Sequence, residues 1–371
     1  MELTKTELHT HLMGMLPVTE FLEFIKSFGF NEVTFPFNDK EMLIDDLLDN
    51  PRLLNYLFIP GWEQVDYFQL NTLYSYRTLL IKELISKYKE REGISYKMAE
   101  KVIMNSFINA CLRDLVNHGI KYVEISYSFT SRINNFVIDD DLVDKIKCKF
   151  LLSTSRTNPC YKDASVSNNS FEASAKDLVK VLKGGNGVGF DIMGEEIPMT
   201  LDELDPNNRL HSFKKKLELL FDVLFKYPDT TLRIHSGETP KSFNNTNYVL
   251  KMIDEIATEK GIKIPPPEIR IGHGLYFADT PEYVDLLKKF ECIIEINASS
   301  NFALSNVKSY GEIPYQYYYD NGIPIVIATD GHGLYDTNVE IEDVIANSVI
   351  DDTVYDSIVK FDDDYNARRG L

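Results

Sequence analysis

The chain has no apolar run approaching the ~20 residues that cross a bilayer. It has no early charged-then-apolar segment of the secretory kind either, so the expectation is a cytoplasmic protein with no membrane partner. Cysteine is scarce. Cys111, Cys148, Cys160 and Cys292 are scattered without paired spacing, which argues against a disulfide framework and against a cysteine-rich zinc site. Positive charge is short as well: 39 Lys and Arg stand against 57 Asp and Glu, a formal net charge of −18. That charge repels polyanions at long range and disfavours nucleic acid and anionic membranes, while a small anionic ligand could still bind in a locally basic pocket.

Several signatures are missing. There is no Gly-x-x-x-x-Gly-Lys-Ser/Thr phosphate loop, no Gly-x-Ser-x-Gly elbow and no His-Glu-x-x-His helix. Pro159-Cys160 lacks the second cysteine of the Pro-Cys-x-x-Cys deaminases. The Gly184-Gly185-Asn186-Gly187 cluster precedes a strand instead of following one, so it reads as a turn. No linker, repeat or low-complexity run divides the 371 residues, and one domain over 1–371 is the default, a length that suits an α/β barrel.

Eight short apolar, strand-like runs are present, at 6–11, 122–128, 148–153, 188–193, 232–235, 269–272, 292–296 and 323–329. Stretches such as 210–226 and 248–260 carry apolar residues at helical spacing between them. Strands alternating with helices indicate βαβ units and a parallel sheet, and eight units suggest a closed (β/α)₈ barrel. The connection after the first strand, about 14–119, is too long for a barrel loop. Helical candidates at 18–28, 40–48, 68–90 and 95–118 would pack there as a cap. Phe58, Trp62, Tyr67 and Phe68 either contribute to a lid over the site or pack the cap helices onto the barrel. The acidic runs Asp139-Asp140-Asp141 and 362–364 read as solvated surface.

Reactive groups of such a barrel sit where strands end. Glu7-Leu8-His9-Thr10-His11-Leu12 closes the first strand, and alternation along a strand puts His9 and His11 on one face. His235 and Glu238 follow the fifth strand, His273 the sixth and Asp330 the eighth. Four of the seven histidines thus fall at strand ends. Three imidazoles and one carboxylate suit Zn²⁺ with room left for water, and zinc brings the pKa of that water towards ~7. Glu238 and His273 are the groups left to handle protons. His118 resembles a helix C-terminal residue, His211 opens an amphipathic helix, and His332 either faces the pocket or is structural.

In this order the motifs resemble the adenosine deaminase family. They comprise Glu7-Leu8-His9-Thr10-His11-Leu12, Tyr122-Val123-Glu124, Phe190-Asp191-Ile192-Met193-Gly194-Glu195-Glu196, His235-Ser236-Gly237-Glu238, Ile271-Gly272-His273-Gly274, Ser299-Ser300-Asn301 and Thr329-Asp330. The resemblance implies a (β/α)₈ barrel with a helical insertion after the first strand and one zinc held by His9, His11, His235 and Asp330. It also implies hydrolytic removal of an amino group from the purine 6-position. Glu238 would protonate the ring nitrogen, His273 would orient and deprotonate the attacking water, Asp330 would touch metal and water, and Gly194 would bring its backbone N–H to the purine.

Two positions depart from the family's adenosine-specific pattern. Met13 stands where an Asp bonds the ribose 5′-hydroxyl, and Gly331 stands where an Asp bonds the five-membered ring. The 5′ end could then carry phosphate or a thioether, with Arg156 and Lys5 as phosphate partners, or Arg156 could make a structural ion pair instead. The reading is a zinc-dependent deaminase of an adenine nucleoside or nucleotide, with homo-oligomerisation left open. The alternatives are an ATP/dATP deaminase of a prokaryotic defence system and a catalytically weak nucleotide-binding subunit.

Overall fold

Parallel strands buried on both faces read as near-continuous apolar runs, and all eight expected runs form strands. The computed structural model describes residues 3–35, 40–160, 170–227, 229–261 and 267–370. The strands are β1 (Thr6–His11), β2 (Glu32–Phe35), β3 (Lys40–Leu43), β4 (Tyr122–Tyr127), β5 (Lys147–Ser155), β6 (Gly187–Met193), β7 (Thr230–Ser236), β8 (Pro267–His273), β9 (Ile293–Ile296) and β10 (Ile325–Ile327). Eight of them form one sheet in the order β1-β4-β5-β6-β7-β8-β9-β10, each neighbouring pair parallel. The sheet closes where Thr10 bridges Asp330. Glu7 locks that seam: its carboxylate accepts from Thr329 N at 3.1 Å, Thr329 Oγ1 at 2.6 Å and His9 N at 3.0 Å. The fold is the (β/α)₈ barrel.

The outer helices bury one stripe each against the sheet. In Phe213–Leu224 the buried Phe213, Leu217, Leu220, Phe221 and Leu224 follow the helical period. Ser212 caps its first turn by accepting from Lys215 N, so the helix starts two residues after His211, which is exposed.

The long connection from β1 to β4 holds two long helices, Tyr67–Glu92 and Tyr96–Asn117. One expectation fails there. Lys40–Leu43 is not helical but pairs antiparallel with Glu32–Phe35, and only Ile44–Leu48 is helix. The apolar spacing in 40–48 fits both states, and pairing with β2 decides between them. All four cysteines are free thiols. Among the described residues no helix is long and apolar enough to cross a membrane.

The acidic tail is also corrected. Asp362 is 2 % exposed and accepts from Lys5 N at 2.6 Å and from the Thr6 hydroxyl, tying the last helix, Asp352–Arg368, to the start of β1. Replacing Asp362 by Ala takes the carboxylate acceptor from the part-buried Lys5 N–H and the buried Thr6 hydroxyl at the start of β1. The expected loss is about 1–3 kcal/mol, read as a lower urea midpoint with an unchanged slope.

Candidate active site

The C-terminal ends of the barrel strands bring the expected reactive residues into one cluster. His9 Nε2 and His11 Nε2 lie 3.4 and 3.3 Å from the same Asp330 oxygen, and the His9 and His235 rings are 4.6 Å apart between centroids. On the far side of His9, Nδ1 lies 2.9 Å from Glu295 Oε2. A carboxylate behind a histidine fixes the tautomer that leaves Nε2 free to ligate. The Nε2 atoms of His9 and His235 are buried and without a hydrogen-bond partner, although buried polar atoms are rarely left so.

Ligand atoms of His9, His11 and His235 lie within 4.8 Å of one another, as do those of His9, His273 and Asp330. Burial and Arg233 work to lower the His9 pKa, yet the Asp330 and Glu295 carboxylates beside the ring push it up to about 9. A cation at Nε2 would satisfy the same negative field. The donor set therefore fits a metal held by His9, His11, His235 and Asp330.

Two further groups flank the cluster. His273 Nδ1 lies 3.0 Å from Asn301 Oδ1; the amide oxygen only accepts, so Nδ1 carries the hydrogen and Nε2 keeps its lone pair. Burial holds the His273 pKa down at about 4, so the ring is neutral at neutral pH. Glu238 Oε1 lies 3.8 Å from His273 Nε2. Burial raises the Glu238 pKa to about 8, with the Asp330 and Glu196 carboxylates adding to it and the Tyr67 phenol opposing. A proton-bearing carboxyl thus faces a proton-free imidazole, an acid/base pair separated by environment.

Both His273 and Asp330 have left-handed backbones, φ 72° and 63°. Such strain in non-glycine residues concentrates at functional sites. Gly272 is required by contact: a Cβ there would come within 2.7 Å of His9 Cε1.

Two supporting residues were not assigned roles from the sequence. Glu196, buried, accepts from Gly237 N at 3.0 Å, Glu238 N at 2.7 Å and Ser242 Oγ at 2.8 Å, which fixes the turn carrying Glu238. Tyr67 places its hydroxyl 2.6 and 2.7 Å from the two Glu238 oxygens. It is delivered by a strap across the barrel mouth. Ile59 N donates to Leu334 O and Val65 N to Ala303 O, each at 2.7 Å, and the capping box of Asp66 and Gln69 then starts the helix Tyr67–Glu92. Of the four aromatics considered for a lid, Tyr67 reaches the site, Phe58 is half-buried, and Trp62 and Phe68 are 77 % and 79 % exposed.

Of the two roles open to Arg156, its surroundings fit the structural ion pair: it is buried, donates to Gly194 O at 3.0 Å and His235 O at 2.5 Å, and stands 4.0 Å from Glu196. Lys5 precedes β1 at the opposite end of the barrel and pairs with Asp363 at 2.7 Å. His332 is buried against Asp114 at 2.8 Å, and His118 caps the helix Tyr96–Asn117. Met13 is buried just past His11. Gly194 has φ 102°, as a residue bringing its backbone close to a ligand would need. Gly331 has φ 146°, and a Cβ there would lie 3.2 Å from Gly14 Cα. The missing Asp is thus accompanied by a backbone that disfavours any side chain.

A (β/α)₈ barrel with three histidines and an aspartate gathered at its strand ends, beside a carboxyl and an imidazole, defines a hydrolase with a place for a metal. The chain belongs to the adenosine deaminase family, whose model matches residues 85–351, and it is accordingly a hydrolase of C–N bonds. It is 24 % identical over 340 residues to the adenosine deaminase of Plasmodium falciparum (isolate 3D7), covering 91 % of this chain and 77 % of that one. It is 22 % identical to that of Lactococcus lactis over 355 residues, 92 % and 81 % of the two chains. Among solved structures, the fold is similar to the N6-methyl-AMP deaminase of Arabidopsis thaliana (TM-score 0.60, 17 % identity, 96 % and 90 % coverage). It is equally similar to Arabidopsis ADAL complexed with IMP (TM-score 0.60, 17 % identity, 99 % and 98 % coverage).

If the four-residue cluster holds a metal, elemental analysis of dialysed protein finds about one ion per chain, and Asp330→Ala abolishes it. A chelator then lowers the melting temperature of the wild type by several degrees and leaves that of the variant unmoved.

Proposed function

We propose that the chain is a zinc-dependent deaminase that hydrolyses the 6-amino group of an adenine nucleoside or nucleotide to an inosine-type product and ammonia. The observation that carries this reading is geometric: the Glu238 carboxyl lies 3.8 Å from His273 Nε2 at the rim of the histidine–aspartate cluster. His9, His11, His235 and Asp330 would hold one Zn²⁺. When bound, the zinc supplies Lewis-acid polarisation that makes a water nucleophilic near neutral pH.

The residues of the chain carry the proton traffic. His273 Nε2 orients the attacking water and takes its proton as the oxygen bonds to ring carbon 6. Glu238 gives its own proton to the adjacent ring nitrogen, so charge does not build up on the ring. The amino group then leaves as ammonia with a returned proton. Asp330 fixes the water through the hydrogen bond its other oxygen accepts from Ser300 Oγ at 2.6 Å, which holds the carboxylate still. Gly194 N–H meets the opposite edge of the purine, and Met13 and Gly331 shape the wall beyond it.

Residues 1–371 act as one domain with the insertion as its cap. The enzyme works in the cytoplasm on a small molecule without nucleic acid, in keeping with the free thiols and the net charge of −18. That ADAL is solved with IMP supports the nucleotide end of the substrate range.

The test is ammonia release by zinc-loaded protein from adenosine, deoxyadenosine, AMP, ATP, dATP and methylthioadenosine. Glu238→Gln is expected to lower kcat by about 10²–10⁴-fold, the usual worth of a general acid, while binding of the inosine-type product persists. Turnover that survives in Glu238→Gln would sink this assignment. Tyr67→Phe removes the phenol that holds both Glu238 oxygens. It is expected to lower kcat by up to about tenfold, the upper end for one hydrogen bond to a neutral group, with KM changing far less.

A further inference from the structure

A cavity of about 150 Å³ lies between the helix Tyr67–Glu92 and the C-terminal ends of β4, β5 and β6, and Met13 and Met193 belong to its wall. Met13 is two residues past His11, and Met193 directly precedes Gly194. Ser126, also in the wall, donates to Asp191 at 2.6 Å, and the other Asp191 oxygen is 3.4 Å from His235 Nε2. The cavity is therefore beside the histidine cluster on its β4–β6 side. Glu238, His273 and Asp330 follow β7, β8 and β10 on the other side. This space lies on the side of the cluster away from Glu238 and His273, where the far end of a substrate held at those two residues would have room.

The lining is suited to one chemistry. Ser126, Ser128 and Ser153 supply hydroxyls, the last two 3.0 Å apart. Facing them, the helix presents Thr78 and Lys82 on the stripe that begins with Tyr67 at Glu238. Residues 67, 74, 78 and 82 share a helix face, and Lys82 lies about 22 Å along the axis from Tyr67. Arg132 and Met104 are shared with a second cavity of about 370 Å³ that adds Lys97 and Lys101.

Together the two cavities are lined by the cations Lys82, Lys97, Lys101 and Arg132 and by one acid, Glu100. Glu100 is paired with Arg132, which also donates to the Tyr127 hydroxyl. The three lysines are exposed and have no carboxylate partner among the described residues. In a chain of net charge −18 this is a local excess of positive charge on one path leading away from the site. Met13, at its start, offers no carboxylate to repel an anion.

We propose that this path binds the 5′-phosphate end of the substrate through Lys82 and the serine hydroxyls, and that the enzyme prefers 5′-phosphorylated adenine nucleosides to free ones. The proposal rests on the deaminase reading for the ring end alone.

The experiment compares kcat/KM for adenosine, 5′-methylthioadenosine, AMP and ATP in the wild type, Lys82→Glu and Lys101→Glu, with melting temperatures as the check on folding. AMP or ATP is expected to exceed both unphosphorylated substrates by about tenfold or more, the worth of a charge-assisted contact. Lys82→Glu should lower that ratio by a similar factor at an unchanged melting temperature. Equal turnover of adenosine or methylthioadenosine, or a ratio unmoved in both variants, overturns the subsite and leaves the deaminase intact. If no substrate is turned over, the deaminase reading has failed, and calorimetry with inosine and inosine 5′-monophosphate decides the subsite by itself. Tighter binding of the phosphate, weakened in Lys82→Glu, upholds it, and equal binding overturns it.

Discussion

The barrel interior is built around the Glu295 carboxylate. It is fully buried, and desolvation alone would force it to keep its proton. Arg233, His9 and Arg270 instead hold its pKa down at about 2. Arg233 Nε lies 2.9 Å from one oxygen, shared with His9 Nδ1, and Arg270 donates to the other at 3.1 Å. A buried charge of this kind is tolerable only when every partner is present, so strands β1, β7, β8 and β9 are joined through it. The stability of the barrel and the direction in which His9 points are one interaction, not two. Arg270 carries the network downward to Glu124 at 2.7 Å, and Arg233 carries it sideways to Ser126 at 2.8 Å. Through Ser126 and Asp191 it reaches His235.

Such a frame explains how strained residues persist. His273 and Asp330 hold left-handed backbones at the ends of strands whose preceding residues are fixed by the closed sheet, and each is tethered by a side-chain contact, to Asn301 and Ser300 respectively. These two tethers sit one after the other in the same short helix, Ala298–Ala303. Glu342 in turn holds the start of that helix, accepting from Ala298 N at 2.9 Å. The orientation of His273 and of the Asp330 carboxylate is therefore set by one element. A disturbance at Glu342 would move both.

Much of this was legible in the sequence, and the physical reason differs from part to part. The eight strands could be read because burial on two faces leaves a continuous apolar signature. The histidines stood out because they are few and fall where strands end. Asp362 and the strand Lys40–Leu43 were misread because their states depend on partners remote in sequence. An isolated acidic run looks solvated until Thr6 claims one of its carboxylates. Tyr67 could not be told from Trp62 and Phe68 by type or spacing, and what singles it out is the strap that lands it on Glu238. Glu295, Arg233, Arg270 and Asp191 did leave a signal, a charged residue inside an otherwise apolar strand. In a barrel interior such a residue must be paired, and pairing near a strand end is where a metal ligand finds its support.

Met13 and Gly331 then acquire a shared meaning. An acid at either position would add negative charge beside a cluster that already contains Asp330, Asp191 and Glu295, and beside the passage lined by Lys82 and Arg132. At 331 the backbone adopts φ 146° and a Cβ would crowd Gly14, so glycine there suits the loop itself. At 13 the thioether fills space without charge. Glu238, His273 and Asp330 follow β7, β8 and β10, while the cavity reached by Lys82 adjoins the ends of β4, β5 and β6; under the proposed subsite, the two ends of a substrate would meet different strands, so one end could change while the other stayed.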